Sequence, residues 1–196
     1  MFSRLNVGVL ALQGDFERHL FRLSALKVSP REVRQKDDLS GLDGLIIPGG
    51  ESTTLNLLID RFDIRGKLAE FSAHKAVWGT CAGLIMLARQ VNDPQIQTLG
   101  IIDISVVRNA YGRQVHSFYS IIEANLNGKM VPLEVSFIRA PIVKNYGNNI
   151  KVLAQYRGSP TLLSHQNCLV SSFHTELHDD LTLTKYFLEN FVSVFK

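Results

Sequence analysis

Apolar positions along this chain fall into two kinds of run. Residues 5–12, 44–48 and 76–79 are short and almost continuously apolar, as strands buried on both faces are. Between them the period changes. Residues 15–26 place Phe16, Leu20, Leu23 and Leu26 at helical spacing. Further helices are predicted over 54–59, with Ser52 as N-cap, over 64–74 after a break near Asp63, and over 84–90. The middle of the chain differs: residues 99–107, 115–123, 134–138 and 151–156 are rich in β-branched side chains and read as strands. They are divided by turn residues at Asn109, Gly112, Asn127-Gly128 and Gly147-Asn148-Asn149. Residues 161–165 and 168–172 predict a hairpin around Gln166-Asn167, and 180–192 a closing helix. Strands alternating with helices, followed by a strand-rich insert, predict an α/β fold with a mostly parallel central sheet flanked by helices. No internal repeat or linker interrupts the pattern, so residues 1–196 are expected to form one domain.

Composition narrows the function classes. The 196 residues are 45% hydrophobic and 20% charged, ordinary for a water-soluble chain with a sizeable core. The net charge is only +3, and the densest basic group, Arg31, Arg34 and Lys36, reads as a solvated face, so no nucleic-acid partner is expected. The N-terminal apolar stretch meets Gln13, Asp15, Glu17 and Arg18 too soon for a signal peptide or a membrane span. Two cysteines, Cys81 and Cys168, make no disulfide framework, and a cytoplasmic protein with reduced thiols is expected.

Three separated segments carry candidate chemistry, each at the end of a predicted strand, where sites form in such sheets. Gly79-Thr80-Cys81-Ala82-Gly83 fits a nucleophile elbow, in which small flanking residues let a tight turn push the thiol outward. The other reading is a buried cysteine acting as a small apolar residue. Cys168, in an alternating run without flanking glycines, reads as core. His174 and Glu176 lie two residues apart, so an extended backbone turns both the same way, and the carboxylate can fix the imidazole's tautomer. The plain alternative is a polar turn. His19, His74, His116, His165 and His178 lack such a pairing and read as surface or structural. Pro48-Gly49-Gly50-Glu51-Ser52 suits either an oxyanion hole, a phosphate-binding turn or a simple strand-to-helix connection. It has neither a Walker lysine nor G-x-G-x-x-G spacing.

Together these segments resemble the triad-type (class I) glutamine amidotransferases, and within them the glutaminase subunits of pyridoxal 5′-phosphate synthase. The resemblance spans nearly the whole chain: Gly8-Val9-Leu10-Ala11-Leu12-Gln13-Gly14, Ile47-Pro48-Gly49-Gly50-Glu51-Ser52-Thr53-Thr54 and Trp78-Gly79-Thr80-Cys81-Ala82-Gly83-Leu84. It continues through Arg108-Asn109-Ala110-Tyr111-Gly112-Arg113-Gln114, Phe137-Ile138-Arg139-Ala140-Pro141 and Ser172-Phe173-His174-Thr175-Glu176-Leu177. It implies a three-layer, flavodoxin-like class I glutaminase fold. It implies that Cys81 attacks the side-chain amide of L-glutamine, activated by His174 and Glu176. Gly49, Gly50 and Ala82 would form the oxyanion hole. Gly49, Gly50, Glu51, Ser52, Arg108, Ile138 and Arg139 would hold the substrate. A guanidinium at Arg108 or Arg139 suits the planar α-carboxylate. The resemblance further implies a synthase subunit as partner in a large hetero-oligomer, little activity without it, and neither metal nor cofactor. Gln13 and the Pro48–Gly50 turn are then candidates to reorganise on docking.

One position departs from the family pattern: Thr175 stands where proline usually separates the histidine from the glutamate, which predicts a looser His174–Glu176 pair with chemistry retained. The stretches 125–135 and 159–167 are also less familiar. Competing readings are a glutaminase for another synthase, an intracellular cysteine hydrolase on a related fold, and a silent regulatory or assembly subunit. The first is disfavoured by the Arg108–Gln114 and Phe137–Pro141 strings; the second leaves the Glu51-Ser52 turn and the two arginines unexplained; intact Cys81, His174 and Glu176 speak against the third.

Overall fold

The computed structural model describes residues 2–108 and 117–195. In chain order the elements are β1 (Asn6–Leu10), α1 (Phe16–Ala25), β2 (Ser29–Val33), β3 (Gly44–Ile47), α2 (Ser52–Arg61), α3 (Arg65–His74), β4 (Ala76–Thr80), α4 (Ala82–Leu87) and β5 (Ala88–Val91). There follow β6 (Ile102–Val107), β7 (Phe118–Leu126), β8 (Lys129–Phe137), β9 (Ile142–Tyr146), β10 (Lys151–Tyr156), β11 (Ser159–His165), β12 (Cys168–Ser171) and α5 (Thr182–Phe187). A nine-stranded sheet runs β2-β1-β3-β4-β12-β11-β10-β7-β8. Its first five strands are parallel, in the order of a doubly wound flavodoxin-like sheet. The remaining strands extend it antiparallel, and β5, β6 and β9 form a separate three-stranded sheet.

The parallel strands are buried on both faces, and alternate side chains feed two cores. On β4, Val77 joins the core formed with Leu55 and Ile59 of α2, Leu68 of α3 and Leu84 of α4. Its neighbour Trp78 points oppositely, toward Leu23 of α1 and Leu183 and Phe187 of α5. Ile47 and Ile46 of β3, and Val170 and Leu169 of β12, divide the same way. These two packed faces hold β3, β4 and β12 side by side, so that their C-terminal ends converge.

The α/β reading with helices flanking the sheet holds, and the strand-rich segment supplies the antiparallel extension and the second sheet. Several elements differ. The helix expected over 84–90 ends at Leu87, and Ala88–Val91 is a strand paired with β6. The run Leu84–Ala88 is fully buried, so helical periodicity gives no signal for where the helix stops. Strand β2 shows no apolar alternation because it is a sheet edge, where Pro30, Arg31 and Glu32 are tolerated. Strand β8 begins at Lys129 rather than 134: Asn127 (φ 56°) and Gly128 (φ 81°) both take left-handed backbone and close a two-residue hairpin between β7 and β8. The closing helix changes from α to a π turn over Leu188–Val192. The strand expected from residue 115 starts at Phe118, and residues 115 and 116 lie outside the described residues.

Candidate active site

Cys81 sits between β4 and α4 with φ 47° and ψ −98°, a conformation that a side chain adopts only where the surroundings enforce it. Its N–H donates to the Ser171 carbonyl of β12 at 2.8 Å, which locks the turn to the neighbouring strand. The flanking glycines are steric requirements. A Cβ on Gly79 would lie 2.6 Å from the Gly83 carbonyl carbon, and one on Gly83 would run into the Ile47 carbonyl oxygen. Backbone meets backbone at both positions, so neither neighbour can yield. Cys81 is buried, and its Sγ faces the Ile138 carbonyl at 3.8 Å.

His174 follows β12 in an extended segment. Ser136 of β8 pins it there by a reciprocal pair of backbone hydrogen bonds, 2.8 and 2.9 Å. Glu176 therefore points to the same side, and its Oε1 meets His174 Nδ1 at 2.6 Å. This bond leaves Nε2 for the thiol of Cys81. Burial alone would push the His174 pKa down, but hydrogen bonds to Cys81 and Glu176 and the Glu176 charge outweigh it and raise it to about 10. Burial likewise opposes ionisation of Glu176. The neighbouring His19 imidazole, the hydrogen bond from His174 and further contacts with both rings overcome it and hold Glu176 well below the usual carboxylate range.

The glycine turn after β3 closes over this pair. A Cβ on Gly49 would strike His174 Cε1 and come within 3.2 Å of Cys81 Cβ, so only glycine lets the turn approach both. Gly50 has φ 144° and packs against the Gln13 amide, whose Oε1 accepts the Glu51 N–H at 3.1 Å. The N-cap of α2 is Glu51 rather than Ser52: its carboxylate accepts from Thr53 N at 3.0 Å and Thr54 N at 2.6 Å. Burial raises its pKa, but these bonds prevail and lower it to about 2. Ser52 is instead the first helical residue and is buried. Ala82 opens α4, where the first backbone N–H groups have no intrahelical acceptor.

A cavity of about 540 Å³ joins these parts. Cys81, His174, Gly49, Gly50, Glu51, Ser52, Arg108, Ile138 and Arg139 all line it. Ala82 is buried behind Cys81. Asp15, Ile85 and Ser117 also line it without having been signalled by any motif in the sequence, and so does Leu177, the last residue of the string that carries His174. Arg108 is already engaged: it reaches Asp93 at 2.5 Å, and Glu51 Oε1 and Thr53 Oγ1 at 3.1 Å each. Arg139 has φ 45°, a left-handed conformation unusual for a long side chain. Residues 109–114 of the Arg108–Gln114 string lie outside the described residues.

The other histidines separate. His74 and His165 bond backbone carbonyls near the surface, and His178 Nε2 bonds Ser136 Oγ at 3.0 Å. His116 lies outside the described residues. His19 is buried against Glu176, a placement that its single helical position among apolar neighbours did not reveal. Cys168 is a buried free thiol in β12, its pKa raised by burial. Among the described residues no group of three or more His, Cys, Asp or Glu is placed to hold a metal ion, and no helix is long and apolar enough to cross a membrane.

With this geometry in hand, similarity to known proteins is informative. The SNO glutamine amidotransferase family matches residues 9–193. The pyridoxal 5′-phosphate synthase subunit PdxT of Thermosipho africanus is 46% identical over 94% of this chain and 97% of its own. That of Pseudothermotoga lettingae is 46% identical over 94% and 95%. A crystal structure of a glutamine amidotransferase, 42% identical, superposes with a TM-score of 0.86 over 93% of this chain and 97% of that one. The PurLQS structure from Thermotoga maritima, 14% identical with a TM-score of 0.70 over 98% and 99% of the two chains, shares the fold.

Proposed function

The chain belongs to the SNO glutamine amidotransferase family, and from that premise we propose that Cys81, His174 and Glu176 perform its chemistry. The enzyme hydrolyses L-glutamine to L-glutamate and ammonia, and it is the glutaminase subunit of a pyridoxal 5′-phosphate synthase, to whose synthase subunit the ammonia passes. The observation that carries the residue assignment is the convergence of three strand ends. They bring the strained Cys81 turn, the His174–Glu176 pair and the Gly49-Gly50 turn onto one cavity.

In this reading Cys81 gives its proton to His174 Nε2, and the thiolate attacks Cδ of the glutamine side chain. The carbonyl π electrons move to oxygen, and the resulting oxyanion is met by backbone N–H groups of Gly49, Gly50 and Ala82. His174 then protonates the nitrogen, the C–N bond breaks, and ammonia leaves a glutamyl thioester. Water, deprotonated by His174, attacks the thioester and returns the thiol with glutamate. Glu176 holds the Nδ1 proton throughout and stabilises the imidazolium. The charge of Arg108 is balanced by Asp93 and Glu51, so we assign the α-carboxylate of glutamine to Arg139. Arg108 holds Glu51, which with Ser52, Gly50 and Ile138 shapes the rest of the subsite.

The reading extends to one glutaminase domain over residues 1–196, working in the cytoplasm as part of a large hetero-oligomer. Acid-quenching the complex during turnover of L-glutamine and mapping the chain by mass spectrometry tests the chemistry. A glutamyl adduct on Cys81 is expected. Turnover with no adduct there, or with one on another residue, contradicts it.

A further inference from the structure

Glu176 is completely shut off from water, yet only one of its oxygens is well satisfied. Oε1 accepts the hydrogen bond from His174 Nδ1 at 2.6 Å, while Oε2 has no hydrogen-bond partner among the described residues. A second imidazole also faces this carboxylate, at the same oxygen. His19, on the inner side of α1, is 1% exposed, and its Nε2 lies 3.4 Å from Glu176 Oε1. Neither His19 nitrogen has a hydrogen-bond partner among the described residues, so the 3.4 Å approach to Glu176 is an ion-pair distance and not a formed hydrogen bond. The His19 ring meets Trp78 edge to face, with 5.7 Å between centroids and an interplanar angle of 82°. Trp78 is anchored in turn by its Nε1 donating to Ser171 Oγ at 3.2 Å. The His19 ring is thus held by β4, the strand that leads into Cys81.

A buried carboxylate with one proton donor is under-compensated, and such a group either gains a second donor or protonates. Arg22, one helical turn along α1, is a fixed cation whose field reaches Glu176. Its guanidinium is spent on Thr184 Oγ1 and on the carbonyls of His178 and Asp180. It contributes its field at Glu176 but no hydrogen bond. His19 is the group placed to donate.

We propose that His19 is a positioning residue for the glutaminase reaction: its Nε2–H holds the buried Glu176 carboxylate ionised and aimed at His174. The assignment rests on the reading of Cys81, His174 and Glu176 given above. It completes a chain, His19–Glu176–His174–Cys81, that crosses from α1 through the loop after β12 to the elbow after β4. The titratable and charged groups facing Glu176 are His174 and, beyond it, Cys81 on the cavity side, with His19 and Arg22 on α1. Asp179 and Asp180 lie beyond Arg22. Of these, His174 donates to the carboxylate and His19 stands within reach of it at 3.4 Å. Without the second donor, Glu176 loses charge or swings away, and His174 loses the partner that keeps it protonated at high pH.

The test uses the complex with the cognate synthase subunit. His19→Phe keeps the ring against Trp78 and removes the donor; His19→Gln restores an N–H near the position of Nε2. For His19→Phe we expect kcat to fall about tenfold or more with KM for glutamine changed less than about twofold, and the alkaline limb of the pH profile to move to lower pH. His19→Gln should recover most of both. A folded His19→Phe enzyme with wild-type kcat and pH profile overturns the proposal. So does a His19→Gln enzyme as impaired as His19→Phe, because the defect is then one of packing. Should His19→Phe fail to fold, the wild-type chain labelled with 15N-histidine still decides. The His19 ring should carry its proton on Nε2, whereas a proton on Nδ1 alone refutes the contact. Failure of the underlying reading is distinguishable: it would show as wild-type glutaminase activity that survives Cys81→Ala.

Discussion

His174 Nδ1 and Glu176 Oε1 lie 2.6 Å apart with the Glu176 side chain fully buried, one residue of chain between them and Ser136 holding the backbone straight. Hydrogen bonds to Cys81 and to Glu176, together with the Glu176 charge, make His174 a stronger base than a free imidazole. Its pKa is raised from the ordinary 6.5 to about 10, so the imidazolium formed on taking the thiol proton persists through neutral pH. The kcat/KM profile should therefore stay flat above neutrality and decline as the pH approaches 10. Glu176→Gln removes a charge that raises the His174 pKa, so the alkaline limb must move down in pH. The rate should fall by roughly 10²- to 10⁴-fold. A steady-state pH profile of both enzymes checks this, and an unmoved limb contradicts it.

The same pair links stability to pH. His174 has a raised folded-state pKa, so its contribution is complete below 6.5 and is lost as pH rises through about 10. Glu176 has a lowered one, so its contribution is complete above its ordinary 4.5 and is lost as pH falls below that. Thermal unfolding of wild type should accordingly give the highest Tm between these limits. The Glu176→Gln enzyme should lose less on acidification than wild type does.

At the elbow, Gly83→Ala sets a methyl group against the Ile47 carbonyl, and Gly79→Ala sets one against the Gly83 backbone. Each should cost about 3 kcal/mol, the upper end of the usual scale for overpacking, because the backbone it meets cannot yield. For a chain of this length that is a fall in Tm of roughly 5–15 °C, readable by calorimetry. Activity should be lost beyond the loss of folded protein, because the Cys81 conformation depends on the same contacts.

Thr175 is buried, and its hydroxyl has no partner among the described residues. Thr175→Val removes an orphaned polar group at nearly constant volume, so it should stabilise the chain by about 1 kcal/mol. Thr175→Pro, which restores the residue usual in the family, should keep activity while stiffening the turn. A large activity loss in Thr175→Pro would show that the local backbone cannot accept the proline geometry.

Glu51 serves as helix cap and as partner of Arg108. Glu51→Ala should destabilise α2 by about 1 kcal/mol, typical of a lost cap. It should also raise KM for glutamine more than it lowers kcat. Isothermal binding of glutamine to a Cys81→Ala background separates the two effects.

Much of this was legible in the chain because it is short-range. The steric demand at Gly79 and Gly83, the i, i+2 geometry of His174 and Glu176, and the paired glycines at 49 and 50 are properties of a few consecutive residues. The parallel strands β1, β3 and β4 showed themselves as apolar runs since both faces are buried. What escaped detection depends on partners far away in sequence. Strand β2 is defined by its edge position, and β5 by pairing with a strand that starts eleven residues after it ends. The cap role of Glu51 competes with the equally plausible Ser52, and only the observed backbone decides. His19 is the clearest case: nothing within α1 marks it, and it gains meaning from Glu176, brought against it by the sheet.

The central claim is that Cys81 is the nucleophile of a glutaminase coupled to a synthase subunit. The most direct measurement is glutamate release from L-glutamine, with and without the cognate synthase subunit, by wild type and by Cys81→Ala. The account predicts release that the synthase stimulates and that Cys81→Ala abolishes. Undiminished release by Cys81→Ala, or none from wild type in a complex shown to form, would contradict it.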